Sequence, residues 1–483
     1  MKMNSWLLRI PQRYWAYLAL SVWAALSFLL LHKSVYGIDE GAAHALLLVW
    51  SIVDDVVSPI VTLGLPDFRT VFLVPVGFLW TGNVLAAKLT SIVVMSSAAW
   101  MFYAWRQRSD EAEGALLATG LLLISPIALD QIDTVSVAPY LLIIFALGAW
   151  SDRMYRESPQ AFGGMYFVQL FLCLASVTLH PAGLAYPLVL LWAWYKTPVD
   201  VKQRNYFFGG ITFTVLLGLI LTQGWGHVAW FMNPIMGLSN LLLGVAAKGE
   251  IGLDRWIAGL GMLAIQIWVI WKQAANLWSD LLGRMLLVAL AVGVLTGDDV
   301  FAMVALTTSL YWGWSLLLHR QITEESGFWE QRGVVLLLVF VIATTFMLID
   351  KMHYQEALIG DLSPRDNLIK TLAEANSSII NAEPDPQHPA KHTVRVASQW
   401  PGITMLACRC DALPLPPSAN DGGALLAMLK GVDYLIFDPR DPKNSSLSHN
   451  LATMGAGKVE TVALQQGGVI VEIKSSEPAR IRE

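Results

Sequence analysis

Long apolar stretches separated by short polar loops recur through the first 350 residues. A helix needs about 20 apolar residues to cross a bilayer core of ~30 Å. On that basis the pattern predicts eleven membrane-spanning helices, several of them short. These spans are 14–32, 85–105, 115–129, 135–150, 161–179, 182–195, 206–224, 256–274, 281–296, 300–318 and 333–350.

The apolar stretch 71–81 is too short to span, because it has about eleven residues and contains Pro75 and Gly77. With this stretch left out, fourteen Lys and Arg residues fall in loops on one side of the membrane and about five on the other. That bias is the positive-inside pattern, and counting 71–81 as a span would destroy it. We therefore predict a cytoplasmic N-terminus, a long outer loop 33–84 with an interfacial helix at 71–81, and a second outer segment at 230–247.

The pattern changes near residue 350. Residues 1–350 contain 41 Asp, Glu, Lys or Arg, about one in eight, whereas residues 351–483 contain 28, about one in five. The sequence thus predicts a transmembrane domain over 1–350, a connecting helix and linker over 351–392, and a domain of soluble composition over 393–483. Eleven spans that begin inside put this last domain outside, in the periplasm or its equivalent.

The C-terminal domain has the pattern of an α/β fold, because short β-rich runs alternate with helical periodicity. The predicted strands are 393–397, 403–407, 434–438, 459–464 and Gly468–Ile473, and the predicted helices are 364–376 and 423–430. It contains neither a Gly-rich phosphate loop nor a nucleophile elbow. We therefore place no chemistry in this domain.

Composition limits the class of protein. Hydrophobic residues make up 55% of the chain and charged residues 14%, against roughly 25% charged in a typical soluble domain. This excludes a soluble enzyme, a disordered protein and a disulfide-stapled secreted module, and the net charge of −5 gives no indication of nucleic acid. The three cysteines set no metal spacing. Cys408 and Cys410, two positions apart, are predicted on one face of a strand, which is poor disulfide geometry.

Ionisable residues near a bilayer are functional candidates, and here they collect on the predicted outer side. Every short outer turn but one carries a carboxylate, and that one carries a histidine. The outer residues are Asp39, Glu40, His44, Asp54, Asp55, Asp67 and Arg69 in the first loop, Asp130 and Asp133 in the second, His180 in the third, and Asp298 and Asp299 in the fifth. This cluster predicts an outward-facing cavity for a charged substrate.

Several of these residues belong to an ordered set of segments. The segments are Gly37-Ile38-Asp39-Glu40-Gly41, Pro66-Asp67-Phe68-Arg69 before an apolar helix, Leu85-Ala86-Ala87-Lys88-Leu89 opening a span that ends in Arg106 and Arg108, and Ser125-Pro126-Ile127-Ala128-Leu129-Asp130-Gln131-Ile132-Asp133. The set resembles the GT-C membrane glycosyltransferases, in the branch of the protein O-mannosyltransferases and lipid A aminoarabinose transferases. The resemblance covers about residues 10–195, and it extends to 200–350 by hydropathy.

The resemblance implies inverting sugar transfer from a polyprenyl-phosphate-linked donor. In this family an acceptor hydroxyl or amine attacks the anomeric carbon, and polyprenyl phosphate leaves. An attacking hydroxyl needs a base, and a partly buried carboxylate has a pKa raised toward the useful range. The departing phosphate needs cations or backbone donors.

The resemblance implies roles for several of these residues, through matches at Asp39, Arg69 and Asp133. The catalytic candidates are Asp39 as base, Glu40 as the alternative base and Asp133 as the second acid, and the substrate-binding candidates are Arg69, Lys88, Asp130 and His180. His180 stands where the aminoarabinose branch has a lysine. The structural alternatives are a helix N-cap for Asp39 before Glu40–Val53, snorkelling to headgroups for Arg69 and Lys88, a polar turn for Asp130 and Asp133, and a turn cap for His180.

The sequence therefore predicts a GT-C glycosyltransferase of the bacterial cytoplasmic membrane that acts on its outer face. Its partners would be a polyprenyl-phosphate sugar donor and a lipid, glycan or secreted protein acceptor. No cofactor is required and no metal ligands are assigned, although Asp, Glu and His clusters can bind a divalent cation. One alternative is a transporter or flippase of lipid-linked glycans, although the internal repeats typical of transporters are not found. The other is a scaffold whose outer domain binds a partner.

Overall fold

The computed structural model describes about two thirds of the chain. The described residues are 12–31, 35, 37–53, 68–79, 83–107, 112–157, 162–196, 201–221, 264, 267–278, 280–296, 299–317, 364–381, 394–417, 419–454, 458–465 and 468–474. The predictions for the segment 230–247, the span 333–350 and most of the span 256–274 lie outside them, as do Asp54, Asp55, Asp67 and Asp298. The chain divides into two compact units, Met1–Leu31 with Gly64–His353 and His32–Leu63 with Tyr354–Glu483.

The first unit is helical throughout its described part. Its α-helices are α1 (Gln12–Leu30), α3 (Arg69–Leu79), α4 (Val84–Gln107), α5 (Ala112–Leu123), α6 (Pro126–Asp133), α7 (Ala138–Glu157), α8 (Phe162–Leu179), α9 (Ala185–Lys196), α10 (Val201–Leu221), α11 (Leu281–Thr296) and α12 (Asp299–Ser309). Shorter turns are the 3₁₀ segments Pro181–Leu184 and Ala274–Asn276 and the π segment Leu310–Trp314.

Three described helices are long and apolar enough to cross a membrane: Arg13–Leu30, Val84–Gln107 and Val201–Leu221. The bent pair Gly114–Leu123 and Ile127–Asp133 would make a fourth if it forms one span. Helix α3 has only 11 residues, so it is too short to cross, as its length in the sequence predicts. The full set of eleven spans stays a prediction.

The core of the first unit is built by pairs of helices rich in large aromatic side chains. Helix α4 packs along α7, α8 along α10, and α11 along α12. The rings of Phe102 and Tyr311 stack with centroids 5.1 Å apart, and Tyr140, Tyr186 and Trp312 are fully buried. Small residues on α4 allow this close packing, because Ala98 and Ala99 are buried on its contact face.

In the residues that the structure describes, the second unit combines a mixed sheet with five α-helices. The helices are α2 (Glu40–Val53), α13 (Pro364–Asn381), α14 (Pro401–Cys408), α15 (Gly422–Met428) and α16 (Ser445–Thr453), with a 3₁₀ turn at Pro442–Asn444. The strands are β1 (Arg395–Ser398), β2 (Asp411–Pro414), β3 (Tyr434–Phe437), β4 (Val459–Gln465) and β5 (Gly468–Ile473), in the order β2-β1-β3-β5-β4. Strand β1 is parallel to β2 and β3, whereas β5 is antiparallel to β3 and β4.

The two ends of the sheet differ from its middle. The edge strand β2 has four residues and ends in Pro414, and the edge strand β4 has a register shift between Thr461 and Ala463. The central strands are buried, and Leu435, Phe437 and Val469 form the core with residues of α15 and α16. Helix α13 packs against β5, where the absent side chain of Gly468 makes room for Leu368.

Two predictions for the C-terminal domain are wrong. Residues 403–407 are part of helix α14 and do not form a strand. Cys408 ends that helix, Arg409 takes the left-handed conformation at φ 53°, and Cys410 follows. The chain therefore turns back between the two cysteines, and their Cα atoms lie 5.3 Å apart with a disulfide bond between the side chains.

Candidate functional site

Helix α6 and the turn after it form the centre of the candidate site. Pro126 stands at the first helical position, where a missing N–H costs nothing, and the helix ends at Asp133. Asp130 and Asp133 therefore lie in a helix, whereas the sequence predicts a turn between two spans. The turn comes directly after Asp133 and reverses the chain through Val135, which has φ 54°. A β-branched residue in this conformation is strained.

Arg69 holds the strained turn in place. Its side chain is almost completely buried, and Nη1 donates a hydrogen bond to the Val135 carbonyl oxygen at 3.0 Å. Three backbone bonds also close the turn, from Thr134 N–H to Asp130, from Val135 N–H to Ile132 and from Ser136 N–H to Gln131. Arg69 begins helix α3, so its guanidinium reaches the turn from a separate element.

Lys88 lies in the same cluster. Its side chain is 0% exposed, and Nζ donates to Asp133 Oδ1 at 2.9 Å. The small residues Ala86 and Ala87 precede it on α4 and are buried with it. A buried ammonium is costly unless it is paired, so Asp133 is what keeps the charge of Lys88 inside the unit. We call Arg69, Lys88, Asp133 and the turn at Val135 the α6 cluster.

His180 adopts the structural role that the sequence left open. It precedes the 3₁₀ turn Pro181–Leu184, and its Nδ1 accepts the Ala182 N–H at 3.1 Å. Gly183 packs on the end of α8, where an added Cβ would lie 1.8 Å from the Ser176 carbonyl oxygen. The imidazole also meets the ring of Phe301 edge to face, with centroids 5.9 Å apart.

Asp39 and Glu40 belong to the second unit. Helix α2 begins at Glu40, as the sequence predicts, and the Asp39 carbonyl oxygen accepts the Ala43 N–H at 3.0 Å. Both Glu40 carboxylate oxygens accept backbone N–H groups of α14, Oε1 from Gly402 and Oε2 from Ile403 at 3.1 Å. His44 Nε2 lies 2.9 Å from Glu40 Oε1, one helical turn along α2.

Some contributors to the α6 cluster were not identified from the sequence. Val135 has an apolar side chain that does not mark it as a functional candidate in the sequence. It contributes to the cluster through its backbone, which has a positive φ of 54°. Ser91, one turn after Lys88, shares a hydrogen bond of 3.1 Å with Tyr140 beneath the cluster. Gln131 is buried within α6, and its Oε1 has no hydrogen-bond partner among the described residues. The sequence signal that could have identified Gln131 is its position as a polar residue between Asp130 and Asp133.

A second buried ion pair lies near the other end of α4. Arg106 Nη2 and Asp280 Oδ2 are 2.6 Å apart, and Arg106 Nε donates to the Tyr311 carbonyl oxygen at 2.7 Å. Asp280 also borders a crevice of about 360 Å³ together with Asp152, Arg153 and Arg284. The sequence places Arg106 and Arg284 among the cytoplasmic cations, so this pair did not enter the predicted site.

Within the described residues of both units no three His, Cys, Asp or Glu side chains are arranged to hold a metal ion. The α6 cluster combines two cations with Asp133, a charge arrangement that suits an anion more than a second cation.

Comparison with known proteins gives few relatives. No family model matches the chain, and no curated protein matches it. Among solved structures, it is similar to the apo crystal structure of the oligosaccharyltransferase of Archaeoglobus fulgidus, with 12% sequence identity and a TM-score of 0.49 over 88% of this chain and 70% of that one. This similarity is too low to assign a function, so the function is inferred from the residues of the chain itself.

Proposed function

We propose that the protein is a GT-C-type membrane glycosyltransferase that uses a polyprenyl-phosphate-linked sugar and transfers it with inversion. The observation that carries the proposal is the α6 cluster, in which Arg69 and the fully buried Lys88 meet at a strained turn of an apolar helical unit. Buried cations inside such a unit are functional candidates. The ordered motifs of the sequence supply the reaction class.

The charges of the α6 cluster suit a departing phosphate. In the proposed reaction the acceptor hydroxyl oxygen forms a bond to the anomeric carbon, while the bond from that carbon to the phosphate oxygen breaks and its electron pair stays on the phosphate. Arg69 and Lys88 stabilise the developing negative charge. Asp133 keeps Lys88 oriented, because their side chains are paired at 2.9 Å.

The acceptor proton goes to a carboxylate, and the contacts favour Asp39 over Glu40 for this role. Both oxygens of Glu40 already accept N–H groups from α14. The Glu40 side chain is therefore held against α14 and is not free to turn toward an acceptor hydroxyl. Asp39 is therefore the proposed base, and Glu40 is assigned a different role below.

The proposed location is the outer face of a bacterial cytoplasmic membrane, with the N-terminus inside and the second unit outside. The positive-inside bias of the loops supports this orientation. The disulfide between Cys408 and Cys410 supports it as well, because disulfides persist in oxidising compartments such as the periplasm. Reporter fusions at Gln107 and Gly422 test the orientation, and an inside signal from Gly422 would refute it.

The experiment for the activity is sugar transfer by the purified full-length protein from a synthetic polyprenyl-phosphate sugar. Asp39→Asn should lower turnover by about 10²–10⁴-fold, the usual contribution of a general base. Thermal stability should not change, because Asn caps a helix about as well as Asp. Arg69→Ala should lower kcat/KM for the donor, because it removes a charge-assisted contact to the phosphate.

A matched control is Asp421→Asn in the same unit. Asp421 caps α15 by accepting the Ala424 N–H at 2.7 Å, so this change alters a cap and no proposed chemistry. It should leave transfer unchanged. Full activity in Asp39→Asn would remove Asp39 from the reaction. No transfer by the wild-type protein from this donor would favour a transporter of lipid-linked glycans.

A further inference from the structure

The N-terminus of helix α14 has no cap from its own segment. Trp400 occupies the N-cap position without a side-chain capping hydrogen bond, and Pro401 follows it. The N–H groups of Gly402 and Ile403 are therefore among the donors that a helix cannot satisfy internally. In most helices a Ser, Thr, Asp or Asn at the N-cap accepts such groups.

Glu40 supplies this cap from a segment 362 positions earlier in the chain. Its two carboxylate oxygens accept one N–H each, from Gly402 and from Ile403. A carboxylate is favoured at this end of a helix, where the backbone dipoles leave partial positive charge. The contact joins the first turn of α2 to the first turn of α14.

Gly402 is required for this close approach. An added Cβ at this position would lie 2.4 Å from His44 Cδ2 and 2.9 Å from Glu40 Oε1. Any larger residue must push the Glu40 and His44 side chains away. The contact is therefore specific on both sides, a carboxylate on α2 and a glycine on α14.

We propose that Glu40 is a positioning residue, which fixes the adjacent Asp39 by anchoring the start of α2 to the C-terminal sheet domain through helix α14. The inference rests on the proposed function, in which Asp39 is the base. Asp39 is bonded to Glu40 through one peptide, and its carbonyl closes the first turn of α2. Glu40 thus acts through Asp39 and does not touch the reacting atoms, and the C-terminal domain contributes to turnover without a catalytic residue of its own.

The test uses two variants that break the contact from opposite sides in the full-length protein. Glu40→Ala removes the carboxylate that accepts the two N–H groups. Gly402→Ala leaves Glu40 intact but adds a methyl group in the space that the Glu40 carboxylate occupies. Each should lower kcat by about 10²-fold, the effect of a small misplacement of a catalytic group, with little change in the donor KM. The double variant should be no worse than Glu40→Ala alone, because both changes remove one shared contact. Glu40→Gln, which keeps one acceptor oxygen, should recover part of kcat.

Gly423→Ala is the matched control, since Gly423 lies in α15 of the same unit and its added Cβ would have only Asp421 Oδ1 nearby, at 3.3 Å. It should retain full kcat. If Glu40 were itself the base, Glu40→Gln would be as slow as Glu40→Ala, because an amide cannot take the acceptor proton. That result would overturn the proposal.

Hydrogen exchange gives a readout that does not depend on catalysis. The amides of Gly402 and Ile403 should be protected in the wild type and should exchange faster in Glu40→Ala. Faster exchange with an unchanged kcat would mean that the contact exists but does not position the base, which overturns the proposal. Protected amides in a wild-type protein that transfers no sugar would instead locate the failure in the proposed function.

Discussion

Helix α4 carries a buried cation near each end, and the two cations differ in what surrounds them. Lys88 and Arg106 are 18 positions apart, or ~27 Å along an α-helix, which is close to the thickness of a bilayer core. Lys88 pairs with Asp133 and Arg106 with Asp280, at 2.9 and 2.6 Å. In both pairs the cation is buried and the carboxylate is 14–16% exposed, so burial does not distinguish them.

The Arg106 pair also forms hydrogen bonds with backbone groups of two other elements. Asp280 Oδ1 accepts the Leu282 N–H at the start of α11, and Arg106 Nε donates to the Tyr311 carbonyl oxygen in the π segment. The guanidinium also lies 4.5 Å from the ring centroid of Trp105. These contacts tie α4, α11 and the π segment together, which is a structural role.

The Lys88 pair is accompanied by a second cation and a strained turn. Arg69 bonds to the carbonyl of Val135, whose positive φ is unfavourable for a β-branched residue. Such strain persists only where the surroundings enforce it, and it is concentrated at functional sites. A buried ion pair in an apolar unit therefore becomes a candidate site when a second cation and a strained turn lie beside it, as they do at Lys88.

The largest expected effect comes from replacing the Lys88 pair with apolar residues. Lys88→Met alone should cost about 3–5 kcal/mol, because it removes one partner of a largely buried ion pair. The double variant Lys88→Met with Asp133→Leu should recover the stability but should still transfer sugar at least ~10²-fold more slowly, as expected for a lost contact to the developing charge. Thermal unfolding and transfer assays on both variants check this, and normal transfer by the double variant would assign the pair to structure alone.

Breaking the Arg106 pair should lower the stability of the fold but should not affect sugar transfer. Arg106→Met alone should cost about 3–5 kcal/mol for the same reason. Adding Asp280→Asn removes the unpaired charge and keeps the cap on α11, so much of the stability should return. Transfer per folded molecule should stay near the wild-type value, and a large loss of turnover in the double variant would contradict the distinction between the two pairs.

Arg69 should be sensitive to conservative replacement, because it binds with directed donors. Arg69→Lys keeps the charge but loses the planar fork of the guanidinium. We expect kcat/KM for the donor to fall about tenfold in Arg69→Lys and about 10²-fold in Arg69→Ala. Equal activity of Arg69→Lys and wild type would show that only the charge at this position matters.

The smallest effect is expected for an exposed pair in the second unit. The hydrogen bond from Lys474 lowers the pKa of Glu460 below its ordinary value and raises that of Lys474. The pair should therefore stabilise the fold between the ordinary pKa values of the two groups and lose this contribution below pH 4.5 and above pH 10.5. Solvent screening keeps exposed pairs weak, so Glu460→Gln should barely move the unfolding midpoint at pH 7, and added salt should remove the difference.

Local pattern was enough to predict several helices and strands. The apolar periodicity after Asp39 gives α2 its observed bounds, Glu40–Val53, and the runs near 434 and 468 form β3 and β5. These elements are predictable because their signals lie within the segment. The collection of charges near α6 also followed from the sequence, since charges avoid the middle of a span.

The remaining features depend on partners that are distant in the chain. A short apolar run such as 403–407 fits a buried strand or a helix equally well, and the helix is capped by Glu40 from the other end of the sequence. The pairing of Lys88 with Asp133, the Val135 angle and the bond between Cys408 and Cys410 likewise follow from packing and chain reversal. No local pattern of residue types encodes them.

The sheet edges have a consequence for how the second unit meets other polypeptides. The short strand β2 ends in a proline and β4 carries a bulge, and both features are known to blunt an open edge. An extended chain that passes this unit therefore finds no long, flat row of backbone groups to join. We expect the unit to resist self-association by strand addition, so that a polypeptide held here would have to be recognised by its side chains.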